Sequence, residues 1–172
     1  TAYPWSSSGF GTKFANPSTL PTGNATGVDF APDGSAIAVS HNSSPYVTAY
    51  PWSGSGFGTK FANPTLPTGT GQGVAFSPDG AAIAVAHLSS PRISAYPWSS
   101  SGFGSKFANP STLPNGDGYG VSFQSDSSAI AVAHVTNPFI SAYSWSSSGF
   151  GTRFANPATL PPELGTSVAF LE

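Results

Sequence analysis

Three histidines, His41, His87 and His134, recur at intervals of 46 and 47 residues in a chain of 172. Imidazoles gathered round one axis are a ligand set that zinc and similar metals accept. The even spacing places each of them in a different copy of a repeat, however. An isolated repeated histidine ordinarily hydrogen-bonds a neighbouring strand or loop, so a structural role is expected and no metal. The other charged groups follow the same rhythm. Lys13, Lys60, Lys106 and Arg153 share one slot, and Asp33, Asp79 and Asp126 share another. A lysine repeated on an outer strand discourages edge pairing, and an aspartate in a hairpin turn bonds its own backbone. Catalysis would need residues that break the symmetry. Those confined to one unit include Asp29, Tyr46, Arg92, Asp117, Tyr119, Phe139 and Glu163. They are scattered along the chain and supply no serine–histidine–acid set, no close carboxylate pair and no glycine-rich phosphate loop. The expectation is a protein that is not an enzyme and uses no cofactor.

The aromatic residues are the stronger candidates for binding. Tyr3 and Trp5, Tyr50 and Trp52, Tyr96 and Trp98, and Tyr143 and Trp145 recur in step, accompanied by phenylalanines such as Phe57 and Phe61. Two roles are open to them. They can fill the space between neighbouring units, since aromatic rings dominate packing energetics. Alternatively, each pair can form a shallow platform for a sugar or a proline-rich or aromatic peptide, with avidity multiplying weak single contacts.

The elements that position these residues follow from the period. Ala2-Tyr3-Pro4-Trp5 returns at Ala49, Ala95 and Ala142, which divides one domain of residues 1–172 into units 2–48, 49–94, 95–141 and a partial unit 142–170. Within a unit, Gly73–Phe76 alternates as a short strand, and Ser77-Pro78-Asp79-Gly80 has the chemistry of a hairpin turn. Ala82–His87 carries alanines on one face and branched residues on the other, the pattern of a strand packed on both sides. Arg92–Trp98 and Phe103–Phe107 complete four strands, and Thr166–Phe170 reads as a further first strand. The many glycines and prolines leave no room for an ordinary helix. Four short strands repeated every 47 residues or so predict an all-β fold, a β-propeller of four-stranded antiparallel blades with three complete blades and a split fourth.

Phe76-Ser77-Pro78-Asp79-Gly80 followed by Ile83-Ala84-Val85, with a histidine near the strand end, resembles the WD-repeat and related propeller families. The resemblance implies the same strand order and hairpin. Tyr96-Pro97-Trp98-Ser99 stands where those families place Trp-Asp, so their side-chain network is not implied here.

Charged residues are 7% of the chain against about 25% in typical soluble domains, and the net charge is −2. No such field gathers nucleic acid or anionic lipid. No apolar run approaches the ~20 residues of a membrane span. With no cysteine there is no disulfide. The Ser/Thr/Gly-rich, charge-poor composition leans toward an extracellular or virion setting. Propellers ordinarily need four or more blades to close, so the chain is expected to partner itself, as a homodimer enclosing about eight blades. The function expected is a non-catalytic structural or protein-interaction scaffold. The alternative is a multivalent carbohydrate-binding propeller lectin, with glycan or peptide as ligand.

Overall fold

A computed structural model describes residues 1–65 and 67–171. The order of elements is β1 (Trp5–Ser6), β2 (Gly9–Phe10), β3 (Ala25–Phe30), β4 (Ala36–His41), β5 (Val47–Ser53), β6 (Gly56–Phe57), β7 (Gly71–Phe76), β8 (Ala82–His87), β9 (Ile93–Ser99), β10 (Gly102–Phe103), β11 (Gly118–Phe123), β12 (Ala129–His134), β13 (Ile140–Ser146) and β14 (Gly149–Arg153). They form three antiparallel meanders, β3-β4-β5-β6, β7-β8-β9-β10 and β11-β12-β13-β14, and a two-stranded ribbon β1-β2. The protein is a β-propeller with three complete blades and the pieces of a fourth. No described helix is long and apolar enough to cross a membrane. Each blade straddles the repeat boundary, taking its first two strands from one unit and its last two from the next.

The turns form for the reasons their residues dictate. Gly34 and Gly80 sit at φ 71° and 70° in the hairpin between first and second strands, and Ser127 takes the same conformation at 58°. The preceding aspartate secures the turn from within. Asp33 Oδ1 accepts the Ser35 amide at 2.9 Å, Asp79 the Ala81 amide at 3.0 Å and Asp126 the Ser128 amide at 2.9 Å.

Blade packing uses the two faces of the second strand. Ala36 and Ala38 of β4 lie with Ala49 against Val74, Phe76, Ile83, Val85, Tyr96 and Trp98 of the next blade. Ala82, Ala84 and Ala86 of β8 lie in the same way against Phe123, Ile130, Val132, Tyr143 and Trp145. Small residues on one face let the bulky face of the following blade approach, and burial of that apolar area is the main source of stability.

At the centre the first strands crowd together, and glycine marks the contact. A Cβ on Gly73 would stand 2.7 Å from the Tyr119 carbonyl oxygen, and one on Gly120 would stand 2.8 Å from Ser167 Cα. A second column, Gly71, Gly118 and Gly165, meets the carbonyls of Tyr46, Arg92 and Phe139, with 2.6 Å left at Gly165. Real Cβ atoms do not occupy such positions. The first column continues as Ser167 and the second begins as Ala25, the two copies at the extremes of the array.

Two expected strands differ from what is found. Thr166–Phe170 follows the first-strand path beside β11, with the Gly165 amide donating to the His134 carbonyl at 3.1 Å. It forms no ladder, because no second strand lies on its outer side. The fourth strand is also short, only Gly102–Phe103 in the second blade. Beyond it the amides of Gly104 and Phe107 still donate to Pro97 and Ala95, but the register has slipped.

Candidate functional site

The repeated tryptophans share a slot and differ in surroundings. Trp98 meets Phe103 across its hairpin at 5.1 Å, Phe76 of its own first strand at 5.0 Å and Phe61 of the preceding unit at 5.2 Å, all edge-to-face. Trp145 has the same three neighbours in Phe150, Phe123 and Phe107, and Trp52 has Phe57, Phe30 and Phe14. Among the described residues Trp5 has only Phe10. Exposure follows: 9% for Trp98, 8% for Trp145 and 72% for Trp5.

Tyr50, Tyr96 and Tyr143 are wholly buried. Each hydroxyl donates to a carbonyl 31 residues upstream, Thr19, Thr65 or Thr112, at 2.7 to 2.8 Å. These rings pin the linker between units to the blade. Burial raises all three phenols, and Tyr96 is pushed up to about 12. Tyr3, 47% exposed, is the only tyrosine of this slot that meets solvent broadly.

His87 and His134 are held between blades and His41 lies on the same face as Ile37 and Val39 of the first blade; all three are fully buried. Nε2 of His41, His87 and His134 pairs with the hydroxyl of Thr48, Ser94 or Ser141 at 2.9 to 3.0 Å. Each Nδ1 lacks a hydrogen-bond partner. Desolvation lowers all three, and His87 falls to about 4, helped by the nearby positive charges of Lys106 and Arg92. No group of three metal-ligating side chains occurs among the described residues.

The residues confined to one unit separate into pairs and places. Tyr46, Arg92 and Phe139 prove to occupy one equivalent slot, each at φ near 70° in the loop between second and third strands. The signal in the sequence was the proline before each of them. Arg92 forms an ion pair with Asp117 and donates to the Leu88 carbonyl, joining the second blade to the third. Asp29 accepts the Phe76 amide at 2.8 Å and the Phe30 amide at 2.9 Å, and burial raises its carboxyl. The lysines are engaged locally, Lys13 with Asn16 at 3.0 Å and Lys60 and Lys106 with Asn63 and Asn109.

Two kinds of concavity result. Between successive blades a cleft opens on the hairpin end. The first, about 530 Å³, is bordered by Pro32, Asp33, Asp79, Trp98 and Ser99. A smaller one of about 120 Å³ repeats the arrangement with Asp79, Trp145 and Ser146. The second kind is a cavity of about 410 Å³ over the bulky face of the first blade, floored by Val28, Ile37 and Val39. Val28 is 61% exposed, whereas Val74 in the same slot of the next blade is 8% exposed. That difference measures what a preceding blade covers.

No family model and no curated protein sequence matches the chain. Solved structures do. A provisionally assigned 6-phosphogluconolactonase of Bacteroides fragilis superposes with a TM-score of 0.72 at 13% identity, over 90% of this chain and 44% of that one. A provisionally assigned 6-phosphogluconolactonase of Bacteroides uniformis gives 0.67 at 13% identity, over 93% and 52%. The WD40 repeats of RRP9 give 0.60 at 14% identity, over 78% and 39%. The chain therefore spans about half or less of the length of these proteins, and at such identities the likeness is one of fold.

Proposed function

We propose that the protein is a non-catalytic propeller module that completes its ring by associating with further copies of itself and serves as an interaction scaffold. The observation that carries this reading is the blade junction. It is built twice in the same way, alanine face on bulky face, and its bulky half recurs uncovered on the first blade. Exposed Val28, Phe30 and Leu20 form an apolar patch of the kind that marks an interface. A two-fold pair would set the terminal segment 165–170 of one copy beside the first blade of the other. Support for the absence of catalysis comes from the symmetry. The basic slot is spread one per unit with its charges held on asparagines, which does not make a phosphate-sugar site. Light scattering at micromolar concentration tests the association: twice the chain mass is expected, falling to the chain mass in Val28→Asp. A wild-type protein of single mass ends this reading.

A second reading, a multivalent lectin, draws on the repeated clefts, where a carboxylate, a serine and a tryptophan edge come together at successive junctions. On a glycan array it predicts binding that is weakened when Ser99 and Ser146 are both changed to bulky residues. Silence across the array removes it.

A further inference from the structure

Two irregular backbone positions recur in every complete blade and adjoin across the junctions. The first strand slips its pairing with the second between Ala25 and Gly27, between Gly71 and Gly73, and between Gly118 and Gly120. Thr26, Gln72 and Tyr119 are therefore the extra residue of a β-bulge, a device that re-aims one side chain. Tyr46, Arg92 and Phe139 hold φ near 70°, a conformation that glycine takes freely and other residues at a cost. The Tyr46 carbonyl lies against Gly71 and the Arg92 carbonyl against Gly118. Across each junction the left-handed residue of one blade thus meets the bulge of the next. Tyr46, Gln72, Arg92 and Tyr119 are all half-buried. The copies also differ most in side chain at these places. Gln72 gives way to Tyr119 between flanking glycines that do not change, and Tyr46, Arg92 and Phe139 follow a proline that does not change. The outer hairpins lie at the opposite end of each meander. They read Ser53-Gly54-Ser55-Gly56, Ser99-Ser100-Ser101-Gly102 and Ser146-Ser147-Ser148-Gly149, where every side chain is small. A strained slot that holds three unrelated large side chains in a constant frame points to function before folding.

We infer that the end of the propeller bearing the loops between second and third strands is a recognition face for one protein partner, engaged across successive blades through a segment that carries a carboxylate beside aromatic residues. The inference rests on the reading of the chain as an interaction scaffold and names the surface and the chemistry of its partner. Unlike side chains at equivalent slots do not make one site repeated on every blade, so this face suits a single asymmetric partner. The carboxylate follows from Arg92. Its Nη1 is held by Asp117 and by the Leu88 carbonyl, which fixes the plane of the guanidinium. The opposite edge, Nη2 and Nε, bonds nothing among the described residues. Two parallel N–H donors on a fixed plane match the two oxygens of a carboxylate. Tyr119, next to Gly118, and Tyr46 at the preceding junction add the large, rigid rings that dominate binding energy at protein interfaces.

The test selects binders to the 172-residue protein from a displayed library of random linear peptides, then measures the selected peptides by calorimetry with light scattering alongside. They should share a carboxylate next to an aromatic residue, bind one per chain, and lose at least tenfold in affinity in Arg92→Ala and in Tyr119→Ala. Glycine relieves the left-handed backbone, so Tyr46→Gly should keep its unfolding midpoint at or above that of the unaltered protein while weakening the peptides. The inference is overturned if no peptide is selected, if those selected share no carboxylate or ignore both Arg92→Ala and Tyr119→Ala, or if Ser99→Tyr at the hairpin end weakens them instead. It is equally overturned if Tyr46→Gly and Tyr119→Ala lower the midpoint as far as Trp98→Ala, because the rings would then serve packing. A protein of single mass that takes such peptides ends ring closure and leaves this face standing; a dimer from which none is selected does the reverse.

Discussion

Unfolding midpoints in urea should stay level from pH 8 down to about 6.5 and then fall steeply toward pH 4. The cause is the three buried histidines. In the unfolded chain each titrates near 6.5. In the folded protein protonation would place a charge on a buried imidazole whose Nδ1 has no partner, and desolvation holds all three lower, His87 at about 4. A depressed folded value means that the unfolded state binds protons first. The stability is therefore complete above 6.5, is lost as the pH falls from there to about 4, and changes no further below that. For His87 the gap amounts to about 3 kcal/mol at 1.36 kcal/mol per pH unit. His41 and His134 act in the same direction. Asp29 opposes them weakly, because its raised carboxyl lets the folded state take up a proton ahead of the unfolded chain. His87→Gln should flatten part of the slope. Midpoints unchanged between pH 7 and 4.5 would show that the imidazoles are hydrated and that the junctions are not dry.

Trp98→Ala and Trp5→Ala change one repeat slot and, at concentrations where copies are dissociated, should differ severalfold in consequence. Trp98 is 9% exposed inside a box of three phenylalanines from two units. Its truncation should cost about 3–5 kcal/mol, the range for large aromatic residues removed from a core. Trp5, 72% exposed with one aromatic neighbour, should fall within about 0.5 kcal/mol of wild type. Chemical denaturation of both variants decides the matter. Equal effects would mean that the first slot is covered in solution, as ring closure between copies would require; a parallel measurement at tenfold dilution separates that case, since a covered slot then becomes concentration-dependent.

What the residues disclosed in advance was whatever depends on near neighbours. Asp79-Gly80 specifies its hairpin through one side chain and one positive φ, and the alternation in Ala82–His87 specifies two packed faces. The period then multiplies both. Residues whose surroundings come from another unit were harder to place. The sequence allows Tyr96 to be a binding platform, and its true partner is the Thr65 carbonyl, brought beside it only when the linker folds over the blade. The aromatic slot looks uniform in sequence, yet its copies range from 72% to 8% exposed, because the preceding unit supplies the cover. Thr166–Phe170 has a strand's alternation but no second strand to pair with. Tyr46, Arg92 and Phe139 look unrelated as residue types; the proline before each is the sequence signal that they are one position, and the shared left-handed backbone shows it.

The two columns of glycine at the blade centres act as punctuation. A cassette carrying glycine in both columns can be duplicated in tandem without altering its neighbours, so copy number is free to drift wherever the columns are intact. Ala25 stands in place of glycine at the first copy of one column, and Ser167 at the last copy of the other. Interior junctions leave room only for a hydrogen at these positions, so the two outermost copies are chemically distinct from those between them.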